Sequence, residues 1–176
     1  IARGNNRSRP VAELIEEAQG LAEHHAEIVI TGVHIGTYGQ DRFSDPGRKP
    51  GEDQDRFSDP GRKPGVYPKW DYPLPVFGFP RAGARGQTTL GRLLESLINT
   101  VPNVRFRLSS VEATEVDDTL AHLLIEAPRN LAAHLHAPLQ SGSNRVLKRM
   151  GRHWYTAELY RARIEWLAEQ PPDVLA

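Results

Sequence analysis

Segments with the hydrophobic spacing of a helix alternate along this chain with short runs that have the pattern of a strand. Residues 28–30 form a β-branched run, and apolar residues alternate with polar ones over residues 104–109. Helical spacing is found before, between and after these runs. Such alternation with short connections predicts right-handed strand–helix–strand units on a parallel sheet. We therefore expect an α/β fold, either a partial (β/α) barrel or an open doubly wound sheet.

Capping and breaking residues predict where the elements begin and end. We expect Ser8 to cap the first helix, Thr88 or Thr89 the second, and Asp117 to begin the third. The continuous apolar run 28–30 predicts a first strand that is buried on both faces. A further strand is expected at residues 131–137. Two helices are expected after it, a short one carrying Val146, Leu147 and Met150 on one side and a longer one over residues 156–170.

A twelve-residue sequence occurs at residues 40–51 and again, unchanged, at residues 54–65. Two such short copies cannot stack a core, so this is a tandem duplication and not a solenoid. Its Pro, Gly, Asp and Arg content is typical of an exposed loop. We expect residues 40–87 to form a long irregular insertion after the first complete strand, with the repeat half disordered.

Charge and hydropathy limit the classes of partner. Lys plus Arg and Asp plus Glu both number 22, so the net charge gives no general indication of a nucleic-acid partner. Residues 145–163 contain six basic residues and one acidic residue, a local charge of +5. This stretch could meet RNA phosphates, or it could be a solvated helix face. The sequence contains neither a membrane-spanning apolar run nor a signal-peptide pattern, so we expect no membrane partner and a cytoplasmic location.

Polar residues follow each predicted strand, at the edge of a parallel sheet where α/β folds place their ligands. Thr31, Gly32 and His34 follow the first strand, and Ser110 and Glu112 follow the second. The turn after the third strand holds Gln140, Ser141 and Gly142. A carboxylate can accept from an ammonium group or a ribose hydroxyl, and free backbone N–H groups can bind a carboxylate. Two simpler interpretations stay open, an ion pair of Glu112 with Arg105 or Arg107 and an ordinary turn histidine at position 34.

Four segments, in the same order, resemble the radical S-adenosylmethionine (SAM) methylthiotransferases. Residues 3–10 resemble the family's RGxxRSRP, and residues 31–39 its TGxxxxxYG. Residues 107–112 resemble RxSSxE, and residues 136–152 resemble HxPLQSGSxxVLxxMxR. Within the family, Glu112-Ala113 and His134-Leu135-His136 are most similar to the branch that acts on threonylcarbamoyladenosine in tRNA. The isopentenyladenosine and ribosomal-protein branches are similar but usually differ there.

The resemblance implies 2-methylthiolation of a modified adenosine next to the anticodon, with SAM and a 4Fe–4S cluster as cofactors. It implies SAM binding by the polar residues that follow the strands, namely Thr31, Gly32, His34, Ser110, Glu112, Gln140, Ser141 and Gly142. It implies substrate binding by Arg3, Arg7, Arg149 and Arg152. The partners would be a tRNA anticodon stem-loop and a sulfur donor, and the oligomeric state is not predicted.

The chain has no cysteine, whereas a 4Fe–4S cluster requires thiolates. We therefore expect residues 1–176 to be part of a radical SAM core domain that lacks the CxxxCxxC loop, and to be inactive in isolation. A degenerate relative that never bound a cluster is the alternative. Two other functions stay open, a non-catalytic RNA-binding module and an unrelated barrel enzyme that uses Glu112 as an acid or base.

Overall fold

The computed structural model of the chain describes residues 7–43, 88–126 and 128–169. In these ranges the protein is mixed α/β, with a small parallel sheet and helices between its strands. The strands are β1 (Glu27–Ile30) and β2 (Arg105–Leu108). The α-helices are α1 (Val11–Ala22), α2 (Leu90–Thr100), α3 (Asp118–Glu126), α4 (Asn144–Arg149) and α5 (Ala157–Ala168). Of the predicted insertion, only the 3₁₀ helix Gln40–Phe43 is described, and the rest of both repeats lies outside the described residues.

Strands β1 and β2 pair in parallel, with Ile28 opposite Phe106 and Ile30 opposite Leu108. A third segment, residues 131–136, continues this order beyond β2 through parallel bridges at Leu131 and His136. Three backbone hydrogen bonds of 2.7–3.0 Å join residues 130–136 to β2 and the residues after it. The predicted parallel arrangement is confirmed, although the third strand is present as two separate bridges.

The helices pack against one face of this sheet. Phe106 and Leu108 are buried in one apolar cluster with leucines of α2 and α3. The opposite face carries Glu27, Val29 and Arg107, and Val29 is 52% exposed. The prediction that the first strand is buried on both faces is therefore wrong. The charged neighbours explain this, because Arg107 pairs with Glu27 at 3.4 Å and keeps that face polar.

Helix starts follow the predicted caps in α2 and α3. Thr89 accepts a hydrogen bond from the Arg92 N–H at 3.3 Å, and Asp117 accepts one from the Leu120 N–H at 2.7 Å. The prediction for α1 was wrong, because its N-cap is Pro10 and has no side-chain cap. The Ser8 hydroxyl instead donates to Asp41 and accepts from the Gly39 N–H at 2.8 Å. Ser8 therefore joins the start of the chain to the loop after β1.

The last two helices differ from the prediction in what they bury. On α4 only Leu147 is buried, whereas Val146 and Met150 are 38% and 50% exposed. Helix α5 buries Arg163 completely, and its guanidinium donates to the Val116 carbonyl at 2.9 Å. Arg163 therefore cannot belong to a basic surface, as its inclusion in the 145–163 stretch had suggested. Among the helices in the described ranges, none has the length and apolarity needed to cross a bilayer.

Candidate functional site at the carboxyl edge of the sheet

The loops that follow the three parallel segments meet at one edge of the sheet. Because the segments are parallel, the residues after Ile30, Leu108 and His136 leave the sheet on the same side. Side chains from the first and second loops then contact a fourth stretch, residues 152–155, between α4 and α5. The sequence placed polar residues at this edge, and the structure brings several of them together.

Glu112 is the centre of the contact between β2 and the fourth stretch. Glu112 is only 7% exposed, and one of its carboxylate oxygens accepts a hydrogen bond from the indole N–H of Trp154 at 2.9 Å. The other oxygen is paired with the guanidinium of Arg152, whose carbon lies 5.7 Å from the Trp154 ring centre. We call these three residues the Glu112 cluster. The alternative interpretation, a pair of Glu112 with Arg105 or Arg107, is wrong, because Glu112 pairs with Arg152 and those two arginines lie on the open face of the sheet.

His34 connects the loop after β1 to this cluster. Its ring centre lies 6.1 Å from that of Trp154 in an edge-to-face arrangement. Its backbone is left-handed, with φ of 52°, a conformation that side-chain-bearing residues adopt at a cost. The imidazole Nδ1 lies 3.7 Å from a carboxylate oxygen of Glu115. His34 therefore contacts Trp154 of the Glu112 cluster and Glu115 of the loop after β2.

Glu115 is a residue that the sequence reasoning missed. Its side chain is 13% exposed, and burial raises the pKa of this carboxyl from 4.5 to about 7. At 3.7 Å His34 is beyond hydrogen-bond distance, so burial and not pairing sets the pKa. The available signal was its position three residues after Glu112 in the same loop, but nothing local distinguishes a buried acid from an exposed one.

Ser110 and His136 pair across the next two segments. The Ser110 hydroxyl and the His136 Nδ1 are 2.8 Å apart, and both residues are exposed. This hydrogen bond fixes the orientation of the imidazole ring through Nδ1, and Nε2 takes no part in it. The sequence singled out His136 only as part of the resemblance and not as a site residue.

The turn after the third segment is held by backbone contacts. Gln140 has a left-handed backbone with φ of 70°, and the Tyr155 hydroxyl donates to the Leu139 carbonyl at 3.2 Å. The Ser141 hydroxyl accepts from the Ser143 N–H at 3.1 Å. Gly142 is exposed. Tyr155 thus ties this turn to the stretch that also carries Arg152 and Trp154, although no contact joins Gln140 directly to Glu112.

A cleft of about 870 Å³ opens beside the loop after β1. Thr31, Gly32 and His34 line it, together with Arg7 and the ends of neighbouring elements. Of the predicted substrate-binding arginines, Arg149 is exposed on α4 and Arg152 belongs to the Glu112 cluster. Arg3 lies outside the described residues. Arg7, Thr31, Gly32 and His34 therefore form one group around the cleft, and His34 joins it to the Glu112 cluster through Trp154. Ser110 and the turn 140–142 are held by separate contacts.

The donor set does not fit a metal cluster. The sequence has no cysteine, and the described residues contain no group of three or more potential metal ligands. The hydroxyls, carboxylates and turn N–H groups of this edge do fit the ammonium, carboxylate and ribose groups of a nucleoside amino acid. The described site is thus suited to an organic ligand.

Comparison with known proteins agrees with the resemblance. No protein-family model matches the chain. It is 33% identical to the threonylcarbamoyladenosine tRNA methylthiotransferase MtaB of Bacillus subtilis, over 98% of this chain and 29% of that protein. It is 30% identical to the MtaB of Thermotoga maritima, over 98% of the chain and 30% of that protein. It is also 30% identical to a CDK5RAP1-like protein of Caenorhabditis elegans, over 99% and 29%.

The chain spans less than a third of the length of these relatives, and the matches cover nearly the whole of this chain. A tRNA-2-methylthio-N(6)-dimethylallyladenosine synthase of Phocaeicola vulgatus matches over 97% of the chain at 27% identity. Over nearly its full length, the chain is therefore homologous to one segment of the tRNA methylthiotransferase family.

Proposed function

We propose that this chain is the central segment of a radical SAM enzyme that adds a methylthio group to a modified adenosine in tRNA. We propose threonylcarbamoyladenosine as the modified base, because both MtaB relatives carry it in their names. The observation that carries the proposal is the meeting of His34, Glu112, Trp154 and Tyr155 at the edge where the resemblance predicts a ligand. Because its substrate is tRNA, the enzyme would work in the cytoplasm.

The arrangement of layers favours a partial (β/α) barrel over an open doubly wound sheet. A doubly wound sheet is covered by helices on both faces, whereas a barrel carries helices only on its outside. Here the buried residues Phe106 and Leu108 face the helices, and the other face carries Glu27, Val29 and Arg107. We propose that this polar face lines the interior of a barrel of which the chain supplies a part, with residues 40–87 as an insertion. Gly39 lies against Thr88, so the two ends of this segment come together.

We propose that SAM lies along the edge formed by Thr31, Gly32, His34, Ser110, Glu112 and the turn Gln140–Gly142. When bound, SAM supplies the methyl group that is transferred. Glu112 would accept from its ammonium group or ribose, in exchange for or beside Arg152, since a carboxylate has about four acceptor positions. The N–H groups of Gln140 and Gly142 would bind its carboxylate, since those of Ser141 and Ser143 donate within the turn. No residue of this chain suits the 4Fe–4S cluster, so its ligands would lie in the remainder of the full-length protein.

The tRNA substrate would contact Arg7 and the exposed cations of α4. Arg145, Lys148 and Arg149 are exposed on α4, whereas Arg161 is paired with Glu165 at 2.7 Å. The basic surface is therefore smaller than the charge count of residues 145–163 suggested, because Arg152 and Arg163 are engaged elsewhere. Three exposed cations can contact tRNA phosphates and would make binding depend on salt. A sulfur donor is a further partner that this proposal requires.

A chimaera tests the proposal directly. The homologous segment of the Bacillus subtilis relative would be replaced by this chain, and the product expressed in cells that lack that enzyme. Mass spectrometry of tRNA nucleosides is expected to find methylthiolated threonylcarbamoyladenosine. A chimaera in which Glu112 is also changed to Ala is expected to produce none, and methylthiolation of dimethylallyladenosine instead would assign the other substrate. An unmodified tRNA, from a folded chimaera that binds its cluster, would contradict the proposal.

A further inference from the structure

The side chain of Glu115 packs against the loop after β1. A Cβ atom placed on Gly36 would overlap the side chain of Glu115, so only a glycine lets the loop lie this close to the carboxyl group. The imidazole of His34, two residues before Gly36, lies 3.7 Å from the same carboxyl group. The loop that carries Thr31, Gly32 and His34 therefore rests on one acidic side chain.

The titratable groups around Glu115 offer it little compensation for a charge. His34 faces it from the loop after β1, Tyr155 from the stretch before α5, and Tyr160 from α5 itself. Burial raises the pKa of both tyrosines, and the charge of Glu115 adds to this effect. The Arg152 guanidinium is paired with Glu112. Ionisation of Glu115 would thus place a negative charge beside neutral hydroxyls, which explains why burial holds its pKa at about 7.

We propose that Glu115 is a positioning residue for the loop Thr31–Thr37, which is packed in place while the carboxyl group is protonated and is released when it ionises. A neutral acid loses far less hydration free energy than a carboxylate when it lies against Gly36, so an ionised Glu115 must regain water, and opening of the loop admits it. The loop carries residues of the proposed SAM site, and only this link to ligand binding rests on the proposed function. The packing of Glu115 on Gly36 does not depend on it.

The sign of the pH effect follows from the proton count. Between pH 4.5 and about 7 the folded chain retains a proton on Glu115 that the unfolded chain has lost. Raising the pH through this window therefore weakens the packed state, and the packed loop is expected below pH 7 and the released loop above it. Glutamine at position 115 has the size of the neutral acid and cannot ionise, so it should hold the loop at every pH.

Nuclear magnetic resonance of the 176-residue chain tests this inference. The amide resonances of Gly32 and Gly36 are expected to titrate with a midpoint near pH 7 in the parent chain. In Glu115→Gln they should stay at their low-pH positions from pH 5 to pH 9. Glu16→Gln, which removes an exposed acid on α1, should leave the titration unchanged.

A second variant separates Glu115 from its histidine neighbour. Asparagine tolerates the left-handed backbone of position 34, so His34→Asn should fold and still show the glycine titration. Loss of the titration in His34→Asn together with its persistence in Glu115→Gln would assign the effect to the imidazole and overturn the inference. Glycine resonances that do not move between pH 5 and pH 9 in the parent chain would overturn it as well. Neither result depends on SAM or tRNA, so failure here is distinct from failure of the proposed function.

Discussion

Replacing Glu112 by alanine is expected to lower the free energy of unfolding by about 3 kcal/mol. The substitution removes the acceptor of the Trp154 N–H and leaves the Arg152 guanidinium, whose side chain is 19% exposed, without its counter-ion. Because Arg152 keeps some contact with water, the cost should lie at the low end of the range for a broken buried pair. Urea unfolding followed by circular dichroism measures the change.

Two comparisons make this prediction specific. Removing both partners, in Glu112→Ala with Arg152→Ala, should cost less than the sum of the two single changes, because no unpaired charge remains. Glu13 of α1 forms an exposed ion pair with Arg9, which precedes the helix. Glu13→Ala should change the free energy of unfolding by less than about 0.5 kcal/mol. Equal effects of Glu112→Ala and Glu13→Ala would mean that the Glu112 cluster is not formed.

Gly39→Ala is expected to destabilise the chain by about 3 to 4 kcal/mol or to prevent folding. Gly39 has φ of 85°, a conformation that favours glycine, and an added Cβ would overlap the carbonyl oxygen of Thr88. That oxygen belongs to the backbone just before α2, so it cannot move aside cheaply. The Gly39 N–H also binds Ser8, so a shift of the loop would break the link to the start of the chain. Thermal unfolding reports the loss.

The same substitution at Gly20 is the matched control. Gly20 lies inside α1, and a Cβ there would meet no atom within 4 Å. Gly20→Ala should therefore stabilise the chain by roughly 0.5–1 kcal/mol, because alanine loses less entropy in a helix. Opposite signs for Gly39→Ala and Gly20→Ala are the expected result, and a neutral Gly39→Ala would show that the loop does not lie against Thr88.

Local sequence patterns predicted the structural features that depend on residues within a single helix or strand. Thr89 and Asp117 predicted two helix starts, because a cap residue acts on a backbone N–H only three residues away. The parallel order followed from alternation of helices and strands. Which face of β1 stays open could not be predicted, because it depends on the pairing of Glu27 with Arg107, 80 positions away.

Contacts between distant residues account for the other differences. Arg163 was counted as a surface cation, yet it is buried and its guanidinium donates to the Val116 carbonyl. The guanidinium carbon lies 4.5 Å from the Trp166 ring centre. Ser8 has the features of a cap, yet Asp41 and Gly39 bind it instead. Glu115 and Trp154 carry no local signal for the site, because burial by other elements gives them their roles. The edge of the sheet was predictable, whereas the contacts that complete it were not.

The most direct measurement is a chemical-shift map of the chain with S-adenosylhomocysteine, the stable product form of SAM, and with adenosine as a control. S-adenosylhomocysteine is expected to shift the amide resonances of Gly32, Glu112 and Gln140 with one common affinity. Adenosine is expected to shift fewer of these resonances. Shifts confined to only one of these three loops, or found elsewhere in the chain, would contradict a single ligand site at the carboxyl edge of the sheet.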